Sequence, residues 1–102
     1  MESPQKGFYI HYKHDPAGAL YNYHYEVTGL AKGTEDDSLH VLYRPLYASE
    51  WMAPADYTAR PLGMFTEIVE KDGMRIPRFV LITDPDLIRE LVIIKKKMYG
   101  ML

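Results

Sequence analysis

"GFYIHYKHDPAGALYNYHYEV", residues 7–27, holds five of the chain's nine tyrosines and three of its four histidines. Such a stretch is either a set of ligands or two aromatic strands of a sheet. A catalytic zinc site would draw His11, His14 and His24 together, with Glu26 as a further ligand and one position left open. The spacing opposes this. His11 and His14 are three residues apart, which places them on opposite faces of a strand, and His24 points away from Tyr23 and Tyr25. The helical spacings of familiar metal sites are absent, so no metal is expected. The stretch therefore reads as a strand "FYIHYK" (8–13), a "DPAG" turn (15–18) and a second strand "YNYHYEVTGLA" (21–31). In that second strand Tyr21, Tyr23, Tyr25, Val27, Gly29 and Ala31 share one face, and Asn22, His24, Glu26, Thr28 and Leu30 the other.

Outward from this pair the alternation continues. "KGTEDDS" (32–38) is a solvated turn. "LHVLYRPLY" (39–47) reads as a third strand weakened near its end by Pro45. "ASEWMAPAD" (48–56) has no period and reads as loop, and "LGMF" (62–65) as a short turn or a single helical turn. "FTEIVEK" and "MRIPRFVLI" flank Asp72-Gly73, a pair suited to the positive φ angles of a tight hairpin, and Pro77 favours an edge or a bulge. Residues 1–6 read as a frayed tail. At the other end, "TDPDLIRELVIIKKKMYGML" (83–102) predicts a helix. Asp84 is placed as N-cap and Pro85 at the first helical position. Asp86 and Glu90 lie near the positive end of the dipole and Lys95, Lys96 and Lys97 near the negative end. Leu87, Leu91, Ile94, Met98 and Met101 form an apolar arc that Ile88 and Val92 widen. Strands followed by one helix predict a mainly β fold, a small, strongly bent antiparallel sheet or barrel over residues 7–82, with the helix of 83–102 packed on it or on a partner subunit.

Composition bounds the function. The 102 residues make one domain. A net charge of −2 argues against general nucleic-acid binding, and residues 35–56 carry five acids and one base. An aromatic strand face with Lys13, Arg44 and Arg60 nearby keeps a base-stacking small barrel open as the alternative. There are no cysteines, which excludes disulfides and thiolate chemistry. No apolar run approaches the ~20 residues of a membrane span, and "MESPQKGFYI" lacks the pattern of a signal peptide, so a cytoplasmic place is expected. Ser3, Ser38 and Ser49 lie in no nucleophile motif. Paired carboxylates occur as Glu67/Glu70 and Asp84/Asp86, the latter explained more simply by helix capping, and no phosphate loop or cofactor motif occurs. A small enzyme using His11 or His24 is the weakest reading.

The segments "HYK" (11–13), "YEVTGLA" (25–31), "VLYRPLY" (41–47), "RPLGMF" (60–65) and "IPRF" (76–79) occur in an order that resembles the bacterial domain-of-unknown-function family 1653. The resemblance spans about residues 7–80. It implies a small SH3-like β-barrel and carries over no catalytic residue. The chain departs from the family pattern in a longer "HDPAGALYNYH" connection, in Lys32-Gly33 where a histidine is usual, and in Thr58-Ala59 where a tryptophan usually precedes Arg-Pro. Among matched positions, Tyr25, Val27, Val41 and Phe65 are expected in the core, and Gly29 at a bend or bulge. Arg60 is expected to pair with Glu67 or Glu26, with an anion site as the second reading. His11, Tyr12, Lys13, Tyr43, Arg44 and Arg60 are the candidate ligand surface. Together these readings point to a non-enzymatic binding or interaction module, dimeric through the helix or a strand edge, since so wide a helical face exceeds what one small sheet covers.

Overall fold

The computed structural model describes residues 3–48, 51–53 and 55–100. Ser49 and Met101, named above, lie outside the described residues. The elements run β1 (Gly7–His11), β2 (His24–Lys32), β3 (Leu39–Pro45), β4 (Thr58–Pro61), α1 (Leu62–Phe65), β5 (Ile68–Lys71), β6 (Met74–Pro77), β7 (Phe79–Leu81) and α2 (Pro85–Tyr99). Five strands form one antiparallel sheet in the order β4-β3-β2-β1-β7, and β5 and β6 form a separate hairpin.

Directly opposed residues share a face of the sheet, so the register assigns every side chain. Tyr9 lies opposite Tyr25 and Leu81, His11 opposite Phe79, Val27 opposite Tyr43, and Val41 opposite Arg60. These residues make an aromatic face. Its core is Tyr9, Tyr25, Val27, Val41, Tyr43, Phe65 and Phe79. The single turn of α1 drops Phe65 onto it, stacked on Phe79 at 4.1 Å and edge-on to Tyr9 and Tyr43.

The alternate residues face α2. Phe8, Leu46, Ile82 and the fully buried Leu91 form a second core, flanked by Leu87, Ile88 and Val92. Glu26 lies opposite Arg44 on this face. Its carboxylate takes Arg44 at 2.9 Å and Lys95 of α2 at 2.6 Å, because a carboxylate buried here needs cationic partners. The Arg44 guanidinium is held between the rings of Tyr99, at 4.0 Å, and Tyr57, at 5.2 Å. The helix begins as its sequence predicts. Asp84 accepts the Asp86 N–H at 3.0 Å, Pro85 occupies the first turn, and Gly100 ends the helix at φ 77°. No helix among the described residues is long and apolar enough to cross a membrane.

Three expectations are corrected. The mainly β fold with a C-terminal helix holds, but the barrel, SH3-like or otherwise, is not formed: the sheet stays open and is not strongly curled. Closure would require its edges β4 and β7 to pair. Those edges are four and three residues long, Pro61 removes a donor at the end of β4, and the intervening chain satisfies its ladder within β5–β6. Second, the strand expected from Tyr21 begins only at His24. Tyr21 and Tyr23 sit in a turn with φ of 58° and 57°, and Tyr21 packs on the helix side while Tyr23 packs on the aromatic side. Third, the alternation of β2 does not run unbroken. The register slips between Val27 and Gly29, so Thr28 is the extra residue of a bulge and Leu30, not Ala31, lies opposite Val41. The expected bulge beside Gly29 is therefore present. The Asp72-Gly73 turn is also as read, with φ of 53° and 78°.

Candidate ligand site at the open end of the aromatic face

β1 ends at His11, whose ring is buried against Tyr12 (centroids 4.6 Å apart), Phe79 (4.8 Å) and Tyr23 (5.5 Å, stacked). The Lys13 N–H donates to His11 Nδ1 at 3.2 Å. That bond makes Nδ1 the acceptor and leaves the proton of the neutral ring on Nε2. Burial, then the charges of Arg60, Arg78 and Lys13, push His11 down to about 4, so it is neutral at pH 7.

Arg60 reaches the same face from β4. Its Nε donates to Tyr43 Oη at 3.1 Å, and its guanidinium carbon lies 5.5 Å from the Phe79 ring and 5.9 Å from the Tyr43 ring. The ion pair expected for it is not made. Glu67 holds Arg78 at 2.9 Å, and Glu26 holds Arg44 and Lys95 on the far side of the sheet. Among the described residues no carboxylate lies within ion-pair distance of Arg60. Nearby, Tyr25 Oη and Tyr47 Oη are hydrogen-bonded at 3.0 Å, and burial raises the Tyr25 phenol well above its ordinary range.

Beyond His11 the chain leaves the sheet and opens a surface cavity of about 540 Å³, lined by Tyr12, Lys13, His14, Asp15, Pro16, Tyr23 and Lys71. Lys71 comes from the separate hairpin, and its Nζ donates to the Tyr12 carbonyl at 2.7 Å. Arg78 sits 5.7 Å from the Tyr12 ring and donates through Nε to the Met64 carbonyl.

Of the six candidates, His11, Tyr12 and Lys13 lie together at the end of β1. Tyr43 and Arg60 are joined to them through Phe79, which touches the rings of both His11 and Tyr43. Arg44 lies on the opposite face, in the Glu26 pair. Tyr23, Lys71, Arg78 and Phe79 were not among the candidates. Arg78 and Phe79 belong to "IPRF" and were findable there. Tyr23 was hidden by its assignment to a strand, and Lys71 carried no signal. His14 and His24 form a different group, their rings 5.0 Å apart and each donating through Nδ1 to the Asn22 carbonyl. Among the described residues no three histidine or acidic side chains could hold a metal ion. Ser38 Oγ lies 3.5 Å from His40 Nδ1, but no carboxylate hydrogen-bonds that ring among the described residues, so the orienting third group of a nucleophile system is missing there.

The family model described as "Protein of unknown function (DUF1653)" matches residues 7–81. The chain belongs to the DUF1653 family. The crystal structure of a DUF1653 protein from Bordetella bronchiseptica is similar to it, with a TM-score of 0.60 and 33% identity over 76% of this chain and 86% of that one. No curated protein matches. Every residue of the cavity and of the Arg60 contact falls inside the DUF1653 match, whereas α2 falls outside it.

Proposed function

We propose that this DUF1653 chain is a non-catalytic binding module whose ligand surface is the open end of the aromatic face. Tyr12, Lys13 and Tyr23 line its cavity, His11 packs against both of those tyrosines, and Arg60 reaches the same face through Phe79. The observation that carries this reading is Arg60. A half-buried guanidinium ordinarily takes a carboxylate. This one takes two aromatic faces and one phenol, and Nε is its only N–H with a protein acceptor among the described residues. The neutral His11 beside it offers Nε2–H as a further donor, and no nucleophile–base pair stands within the group.

A fragment screen by amide chemical-shift mapping tests this. Hits are expected to move Tyr12, Lys13 and Tyr23, and Arg60→Gln is expected to weaken them about tenfold, equivalent to losing one charge-assisted hydrogen bond. Hits that map to α2, or that are indifferent to Arg60→Gln, would overturn the reading.

Self-association belongs to the same proposal and rests on a different face. Met98 of α2 stays 39% exposed, and Leu20 beside it is 77% exposed. With Ile94 and Leu46, Leu20 and Met98 line an apolar groove. A second copy presenting the same Leu20 and Met98 patch is the occupant proposed for this groove, since Leu87, Ile88, Leu91 and Val92 of α2 already pack against the sheet. Sedimentation showing only monomer at high concentration would remove it.

A further inference from the structure

We infer that the ligand of this site carries a planar ring and a phosphate together, which makes a nucleoside monophosphate its simplest representative. The inference rests on the site reading above and adds the chemistry of the occupant.

Charge is the first ground. The chain is acidic overall, at −2, yet Lys13, Lys71, Arg60 and Arg78 gather at this one end. Among the described residues only Arg78 of these four is neutralised, by Glu67. Lys13 and Lys71 line the same cavity, and neither meets a carboxylate within ion-pair distance among the described residues. Asp15 is the single carboxylate in the lining, and its Oδ1 accepts the Ala17 N–H at 2.9 Å. One cation suffices for a carboxylate ligand. Two lysines in one cavity match a phosphate of charge near −2.

Shape is the second ground. Tyr12 and Tyr23 both line the cavity and both lie against the His11 ring. They form a half-exposed aromatic wall of the kind on which a planar ring stacks. The cavity falls within the range of about 300–1,000 Å³ usual for small-molecule sites. A polymer would need a basic track leading away from it. Glu35, Asp36 and Asp37 make the β2–β3 turn acidic instead, which favours a single nucleotide over a strand.

The test titrates AMP and UMP, their parent nucleosides and inorganic phosphate into the full chain, followed by amide shifts. Each nucleotide is expected to bind about tenfold or more tightly than its nucleoside or than phosphate alone. Affinity is expected to fall several-fold between about 50 and 200 mM salt. Lys13→Ala and Lys71→Gln are each expected to weaken the nucleotide several-fold, and Lys96→Ala on α2 to leave it unchanged. The Lys13 side chain is exposed, with Nζ 6.0 Å from the Tyr12 ring centroid, and Lys13→Ala keeps the backbone N–H that donates to His11 Nδ1, so this variant keeps the test valid if Lys71→Gln disturbs the hairpin. Nucleosides binding as tightly as nucleotides, or nucleotides indifferent to Lys13→Ala, would overturn the inference. So would the absence of nucleotide binding. If uncharged rings still bind at Tyr12 and Tyr23 in an Arg60-dependent way, the phosphate inference fails and the site reading stands. Shifts confined to α2 would sink both.

Discussion

His11 shows how one residue's surroundings set a property of the whole chain. Its folded-state pKa is lowered, first by burial and then by Arg60, Arg78 and Lys13, to about 4. An unfolded histidine titrates near 6.5. Between those values the unfolded chain binds a proton that the folded chain refuses. The stability attached to neutral His11 is therefore complete above about pH 6.5 and is lost as pH falls toward 4, a change of roughly 3 kcal/mol. Burial lowers His24 as well and adds in the same direction. Urea denaturation at pH 7 and pH 4.5 checks this: stability should drop with acid, and His11→Gln should flatten the drop. An unchanged slope in the variant would refute the assignment. At this scale the sequence was partly legible. Tyr25, Val27, Val41 and Phe65 are core residues, as expected of these positions in the family-like segments. The neighbours of His11 were not legible, because Tyr23 arrives through a turn and Arg60 from a strand some fifty residues away.

The connection between β1 and β2 explains why a helix could be read and a strand start could not. α2 announces itself through Asp84, Pro85 and its charge gradient, all local signals that the backbone obeys. "YNYHYEV" alternates as a strand should, yet its first residues turn, because Asn22 outcompetes the ladder. Its buried side chain accepts the Asp15 N–H at 2.9 Å and donates to the carbonyls of Asp15 and Ala19 at 2.8 and 2.6 Å. These three bonds offset the cost of holding Tyr21 and Tyr23 at positive φ, which is about 1 kcal/mol or more each. Asn22→Ala should then cost about 2–3 kcal/mol, from roughly 1 kcal/mol net for each buried bond lost. Its urea midpoint should fall well below that of the wild type, and the amide shifts of His14 and Asp15 should collapse toward coil values. A midpoint unchanged within error would mean that the turn is held by something else.

For the whole molecule, alternation and turn chemistry determine the local elements, but closure depends on whether distant edges meet. β4 and β7 are too short to do so, and nothing local to either one says that. The same separation of layers governs how the protein opens. Glu26 is shared between Arg44 of β3 and Lys95 of α2. If α2 lifts away, Lys95 enters water and Glu26 keeps Arg44, so no buried carboxylate is stranded. The ion pair alone therefore does not make α2 and the sheet one unit, and α2 is expected to open before the sheet. Its amides should exchange with solvent through a sub-global opening a few kcal/mol below the global value measured for β1, β2 and β3. Equal exchange free energies for α2 and β2 would instead make helix and sheet one cooperative unit. The distribution of chromophores bears on how any such opening would be seen. Trp51 is the chain's one tryptophan, and it is 53% exposed, while tyrosines packed edge to face fill the core. Tryptophan emission thus reports on the 51–53 turn. Loss of the packed interior would register in the near-ultraviolet dichroism of the tyrosines.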